Sequence, residues 1–245
     1  MVDDRYRSAL LVAQLAEVNA ERTGAKLAAV FGPAAEPDKP APDWPHIMRM
    51  IARTLMAQAD RLVEADRALI LEMEDDQDPR ERRERARSSL FQRMGSLRAM
   101  TRGIYGESAL GRIGLTGNTP IEPIALHRMG LNVLTNLGVL ETLTPVVAGG
   151  ALDIPTVRED LTALLDALGQ AINDLAHEAR KREVAQIHKN SVMAEFDAQF
   201  SYGAHMLESL FGWAGEPAMA ARVRPSSRQP GRLDQPPDSD EPDDT

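Results

Sequence analysis

The chain of 245 residues contains no cysteine. That excludes disulfides, thiolate-ligated metals and cysteine nucleophiles, and it suits a reducing compartment. Aromatic residues are scarce, at 4% of the chain, so a local concentration of them carries weight in packing or recognition. Long apolar runs are missing too. The most apolar region, residues 121–155, is broken by Glu122, His127, Arg128, Asn132, Asn136, Glu141 and Asp153, whereas a membrane-spanning helix needs roughly 18 apolar residues in a row. Residues 1–20 carry Asp3, Asp4, Arg5, Arg7 and Glu17 among their apolar positions, which is not the pattern of a secretory signal. The expectation is a soluble, cytoplasmic protein.

Recognisable catalytic motifs are absent as well. No Glu-x-x-His occurs, so the signature of a two-metal carboxylate site in a helical bundle is missing. His177 and His188 are separated by eleven residues, about 16 Å along a continuous helix, too far to share an ion. His205 and Glu208 have a workable spacing, but such an isolated pair reads first as a surface hydrogen bond. Gly106 and Gly111 have the spacing of P-loop glycines, yet Arg112 and Ile113 stand where Lys and Ser or Thr are required, and helix precedes them where a strand is needed. No Gly-x-Ser-x-Gly singles out a serine nucleophile. No cofactor and no metal are expected.

The net charge of -9 argues against general attraction to nucleic acid. Six of the 37 acidic residues lie in the last dozen positions, from Asp234 to Asp244, so the rest of the chain is closer to neutral. Arg80, Arg82, Arg83, Arg85, Arg87, Arg93, Arg98 and Arg102 form a dense basic run. Glu81 and Glu84 are interleaved with it and aromatics for base stacking are lacking. Pairing with the acids of residues 72–78 or with the acidic tail is the expected use of these arginines. Arg83, Arg87 and Arg112 remain candidate anion contacts.

What is present is helical periodicity. Residues 1–31 predict an N-terminal helix, and a proline-rich linker follows at 32–44, where repeated prolines remove backbone donors and disfavour helix. From Pro45, Met48, Ile51, Leu55, Leu62 and Leu69 recur at helical spacing, and Leu90, Met94, Leu97 and Ile104 mark a further helix from Arg80. The glycine-rich residues 106–118 predict a loop. Thr119-Pro120-Ile121-Glu122 and Thr156-Val157-Arg158-Glu159 both have capping-box spacing. Two apolar seams follow, Val157 to Leu175 and Val192 to Leu210, joined by the mostly charged residues 177–190. The periodicity leaves open whether residues 156–213 are one helix or two. Beyond Trp213 the proline-rich, polar sequence predicts a disordered acidic tail, 214–245.

The predicted fold is all-α: an antiparallel bundle of four to six long helices over residues 45–213. Its last helix gathers Phe196, Phe200, Tyr202, Phe211 and Trp213. These five are the candidate interaction surface, because aromatic residues dominate interface hot spots; core packing is the competing explanation. The functional expectation is a non-enzymatic interaction or scaffold protein that self-associates through its C-terminal helices. A protein partner or a homo-oligomer is expected, and nucleic acid is not. The alternative is a helical enzyme or small-molecule or anion-binding protein with a site near residues 106–118, drawing on Arg112 and His127.

Overall fold

A computed structural model describes residues 2–34, 41–74 and 77–234. Among these residues the chain is all-α, with helices α1 (Val2–Phe31), α2 (Trp44–Glu74), α3 (Gln77–Tyr105), α4 (Glu107–Arg112), α5 (Pro123–Asn136), α6 (Ile154–Trp213) and α7 (Pro217–Val223). No strand forms among the described residues; one isolated antiparallel bridge joins Pro225 and Leu233. α6 is a single helix of 60 residues, so the two seams read from the sequence belong to one element. Six residues of the linker, 35–40, lie outside the described residues.

The chain divides into two compact units, Met1–Ile70 with Val184–Thr245, and Leu71–Glu183. This differs from the predicted division into an N-terminal helix, a linker, a bundle at 45–213 and a tail. The reason is burial. α1 presents Ala9, Ala13, Ala16 and Ala20 to the core of the first unit, together with Ile51, Leu55 and Leu62 of α2 and Phe196, Phe200, Leu207 and Phe211 of α6. Small residues spaced four, three and four apart make one smooth helical stripe against which bulkier side chains can pack closely. Within α6, Gly203 serves the same end, since a Cβ there would lie 2.9 Å from Leu55 Cδ2.

The predicted disorder from residue 214 onward is overturned for 214–234; residues 235–245 lie outside the described residues. After α6 the chain turns at Gly215, forms α7, and runs back along the first unit as a strap. Glu216, with only 5% of its side chain exposed, accepts from Thr23 Oγ1 at 2.8 Å and Lys26 Nζ at 2.8 Å, and pairs with Arg22 Nε at 3.1 Å. Arg232 pairs with Asp4 at 2.8 Å and Leu233 N donates to Ser8 Oγ at 3.4 Å. Ala220 and Val223 join the core. At its far end Gly231, with φ of +72°, sits on the ion pair in which Arg5 Nε and Nη2 donate to Asp197 at 2.7 and 2.9 Å. A Cβ on Gly231 would collide with Asp197 Oδ1 and approach Arg5 Nε. Composition hid this order because long-range ion pairs, rather than apolar density, secure the strap.

In the second unit, Leu90, Met94 and Leu97 of α3 pack with Leu126 and Val133 of α5 and with Val157, Leu161, Leu165 and Leu168 of α6. Both predicted capping boxes fail. α5 starts at Pro123 and is capped by Glu122, whose carboxylate accepts from Ile124 N at 3.0 Å and Ala125 N at 2.6 Å. α6 starts at Ile154, where Asp153 accepts from Thr156 N at 3.3 Å and Thr156 Oγ1 at 2.7 Å. In each case an ionised carboxylate, directly before Pro123 in one helix and two residues before Pro155 in the other, is taken in preference to a threonine, as a charged acceptor at a helix N-terminus also meets the dipole.

Candidate functional site

The exposed face of the last turns of α6 supplies most of a groove in the first unit. Tyr202, His205, Met206, Ser209, Leu210 and Trp213 follow one another at steps of three and one, which places them on one side of the helix. The opposite side carries Phe196, Phe200, Leu207 and Phe211, all fully buried. Tyr202 lies two positions beyond Phe200, and Trp213 two beyond Phe211. Two residues turn the helix by about 200°, so a residue two steps from a core position points away from the core. Tyr202, Met206 and Trp213 are accordingly 69, 52 and 61% exposed.

Trp44 closes one end of the groove. It is the first residue of α2, whose start is fixed by Asp43, the carboxylate accepting from His46 N at 3.0 Å. Phe31, the last residue of α1, joins the two tryptophans: its ring centroid lies 5.1 Å from that of Trp44 and 4.5 Å from that of Trp213, both tilted. Such tilted contacts suit the aromatic quadrupole. Three helix ends thus hold the indoles in place. The resulting groove is open and has a volume of about 690 Å³.

Its polar edge is a short chain of charges. His205 Nδ1 lies 3.1 Å from Glu208 Oε2, and Arg224 of the strap donates through Nε to Glu208 Oε1 at 2.7 Å. Burial pushes the Glu208 carboxyl upward, but the hydrogen bonds from Arg224 and His205 outweigh it and hold the group below the usual glutamate range. The Ser209 hydroxyl donates to the His205 carbonyl at 2.9 Å. The lining therefore offers aromatic and thioether surface with one imidazole at its margin, a composition suited to recognition.

The five aromatics singled out in the sequence are thus divided. Phe196, Phe200 and Phe211 are core, with the first two stacked at a centroid distance of 5.7 Å. Tyr202 and Trp213 are surface. Trp44, Met206 and Leu210 were missed, although Met206 lies one helical turn from Tyr202 and could have been placed beside it by spacing alone. Trp44 comes from a distant helix and carries no such signal.

The candidate anion contacts do not form a comparable site. Arg87 grips Glu84, donating through Nε at 3.0 Å to each carboxylate oxygen, and also reaches the Ile121 carbonyl at 3.4 Å. Arg83 is half-buried with Nε sequestered and unbonded. Arg112 is exposed at the end of α4. Among the described residues Arg82 pairs with Asp174, Arg85 with Glu81, Arg93 with Asp160 and Arg102 with Glu107, acids that lie on α6, α3, α6 and α4. Asp75, Asp76 and the acids beyond Asp234, which are among the partners expected from the sequence, lie outside the described residues. The predicted loop at 106–118 contains α4, and its Leu110, Ile113 and Leu115 are buried in the core of the second unit. His127 is half-buried on α5, its ring set against Gly169. Among the described residues no group of three His, Asp or Glu side chains could hold a metal ion, and no helix is long and apolar enough to cross a membrane.

Comparison of the chain with known protein families, with curated proteins and with solved structures finds no match.

Proposed function

We propose that this chain is a non-enzymatic helical interaction protein, a scaffold whose binding surface is the groove of Trp44, Tyr202, Met206, Leu210 and Trp213. The observation that supports this reading is the gathering of both tryptophans of an aromatic-poor chain on one open surface. Trp and Tyr recur as interface hot spots because each buries a large area at a small entropic cost and keeps a polar edge for water. Isolated exposed apolar residues are ordinary, whereas a contiguous aromatic patch is not. A cytoplasmic setting suits a chain without cysteine.

The test is affinity purification of tagged chain from its native host, comparing the unaltered sequence with Met206→Glu. A charge in the centre of the groove is expected to remove at least one protein that the unaltered chain retains. Identical sets of retained proteins would overturn the proposal. Circular dichroism of the variant establishes that the helices are intact.

A further inference from the structure

We infer that the C-terminal end of α3, in the second unit, binds a phosphate group through the guanidinium of Arg98 and the hydroxyl of Thr101. The site is independent of the groove and concerns a different kind of ligand.

Among the described residues, five side-chain nitrogen or oxygen atoms are sequestered from solvent without a hydrogen-bond partner: Arg83 Nε, Arg93 Nε, Arg98 Nε and Nη2, and Thr101 Oγ1. All five lie on α3. A donor buried in this way has given up its hydration and received no acceptor in return, and the penalty is greatest for a charged group. Arg98 and Thr101 are three residues apart and are therefore neighbours on the helix surface. Thr101 is fully buried and Arg98 half-buried. Nε and Nη2 form the edge with which a guanidinium holds two oxygens of one acid at once. Arg5 uses that edge in this molecule, meeting Asp197 at 2.7 and 2.9 Å. The same edge of Arg98 meets no acceptor.

The acids nearby do not fill the gap. Hydrogen bonds from Arg102, and then the charges of Arg102 and Arg98, hold the Glu107 carboxyl below its usual range, so Arg98 is close enough to be felt there. Both Glu107 oxygens are nevertheless taken by Arg102, at 2.5 and 3.1 Å. Two guanidinium groups thus share one carboxylate, and a positive charge is left over. Gly95, one turn before Arg98, provides room. A Cβ there would have nothing within 4 Å, so no neighbour requires a glycine inside this helix, where it is less stable than alanine. A bare stretch of backbone beside the guanidinium allows a ligand to approach closely. Three donors with one surplus charge suit an anion with at least three acceptor oxygens, which favours phosphate, free or as a monoester, over a carboxylate.

Equilibrium dialysis of labelled inorganic phosphate against the full chain tests the site. One saturable site is expected, weakened at least tenfold in Arg98→Met and at least threefold in the isosteric Thr101→Val. Arg112→Met, which removes an exposed arginine of α4, should leave it unchanged. Chemical denaturation in chloride and in phosphate at equal ionic strength gives a second readout. In chloride, Arg98→Met should be no less stable than the unaltered chain, because it removes a buried charge that lacks a partner. Phosphate strengthens burial in any protein, so the site is reported by the difference: the midpoint of the unaltered chain should rise at least twice as far as that of Arg98→Met. Absence of saturable binding would overturn the inference, as would equal losses in Arg98→Met and Arg112→Met. So would an Arg98→Met chain destabilised to the same extent in both buffers, which would mean that the protein itself holds Arg98. Competition with phenyl phosphate separates the two sources. Displacement at the same or a lower concentration than inorganic phosphate assigns the site to a monoester, and failure to displace assigns it to the free anion.

Discussion

The last turns of α6 carry two aromatic faces that differ in helical phase and in polarity. Phe196, Phe200 and Phe211 are enclosed by α1 and α2 residues of the first unit's core, while Tyr202 and Trp213 face outward. The outward residues have a hydroxyl or an indole N–H, so they tolerate water, and the inward ones have neither. A face that serves folding and a face that serves a partner can therefore share one helix without competing, provided that substitutions on each have separable effects.

That separation is open to attack, beginning with the core. Phe200→Ala is expected to reduce the unfolding free energy by about 3–5 kcal/mol, through lost transfer energy and a cavity that the neighbouring helices fill only in part. Chemical denaturation measures it, and a loss below about 1 kcal/mol would show that the inner face is not the foundation described above. Next comes the strap. Gly231→Ala places a methyl group against Asp197 and Arg5 at a positive φ, and is expected to cost about 1–3 kcal/mol. Increased proteolysis within residues 224–234 should accompany the loss.

Glu216 gives a pH-dependent version of the same test. Burial raises its carboxyl, but hydrogen bonds from Lys26 and Thr23 and the neighbouring Arg22 prevail, so its pKa in the folded chain is below the ordinary value. A depressed folded pKa means that the stabilising contribution is complete above the unfolded value, about 4.3, and is lost as pH falls through the folded one. Glu216→Gln should thus be less stable than the unaltered chain at pH 7, by about 1–3 kcal/mol for a buried charged hydrogen-bond acceptor. The gap should narrow steadily below about pH 4, as the unaltered glutamate is itself protonated. A gap independent of pH would remove the charge from the explanation. The smallest effect belongs to the outer face: Tyr202→Ala should change stability by no more than about 0.5 kcal/mol, measured by the same denaturation.

The helices and their apolar stripes were legible in the sequence because periodicity at 3.6 residues is a local property. The phase of the aromatic residues was legible as well. Phe200 and Tyr202 cannot both face the core of one helix, and a wheel drawn from residue 196 to 213 divides the five into three inner and two outer positions. What the sequence concealed depends on chain-distant partners. Glu216 meets Thr23 and Lys26 nearly two hundred residues away, and Asp197 meets Arg5, so the strap reads locally as polar, proline-rich coil. The Thr-x-x-Glu spacing points to the wrong caps because the carboxylates that close the helix starts, Glu122 before Pro123 and Asp153 two residues before Pro155, lie outside that pattern's first position. Trp44 could be recognised as a groove residue only after α1, α2 and α6 had been brought together.

Both tryptophans of the chain, Trp44 and Trp213, line the groove, so its occupancy has a built-in optical reporter. The most direct test of the account is the intrinsic tryptophan emission followed as the chain is concentrated, for the unaltered sequence and for Met206→Glu. Burial of the indoles on association predicts a progressive blue shift for the unaltered chain and a constant maximum for the variant. An emission maximum that stays the same at every concentration in both, or that shifts equally in both, would contradict self-association through this face of α6.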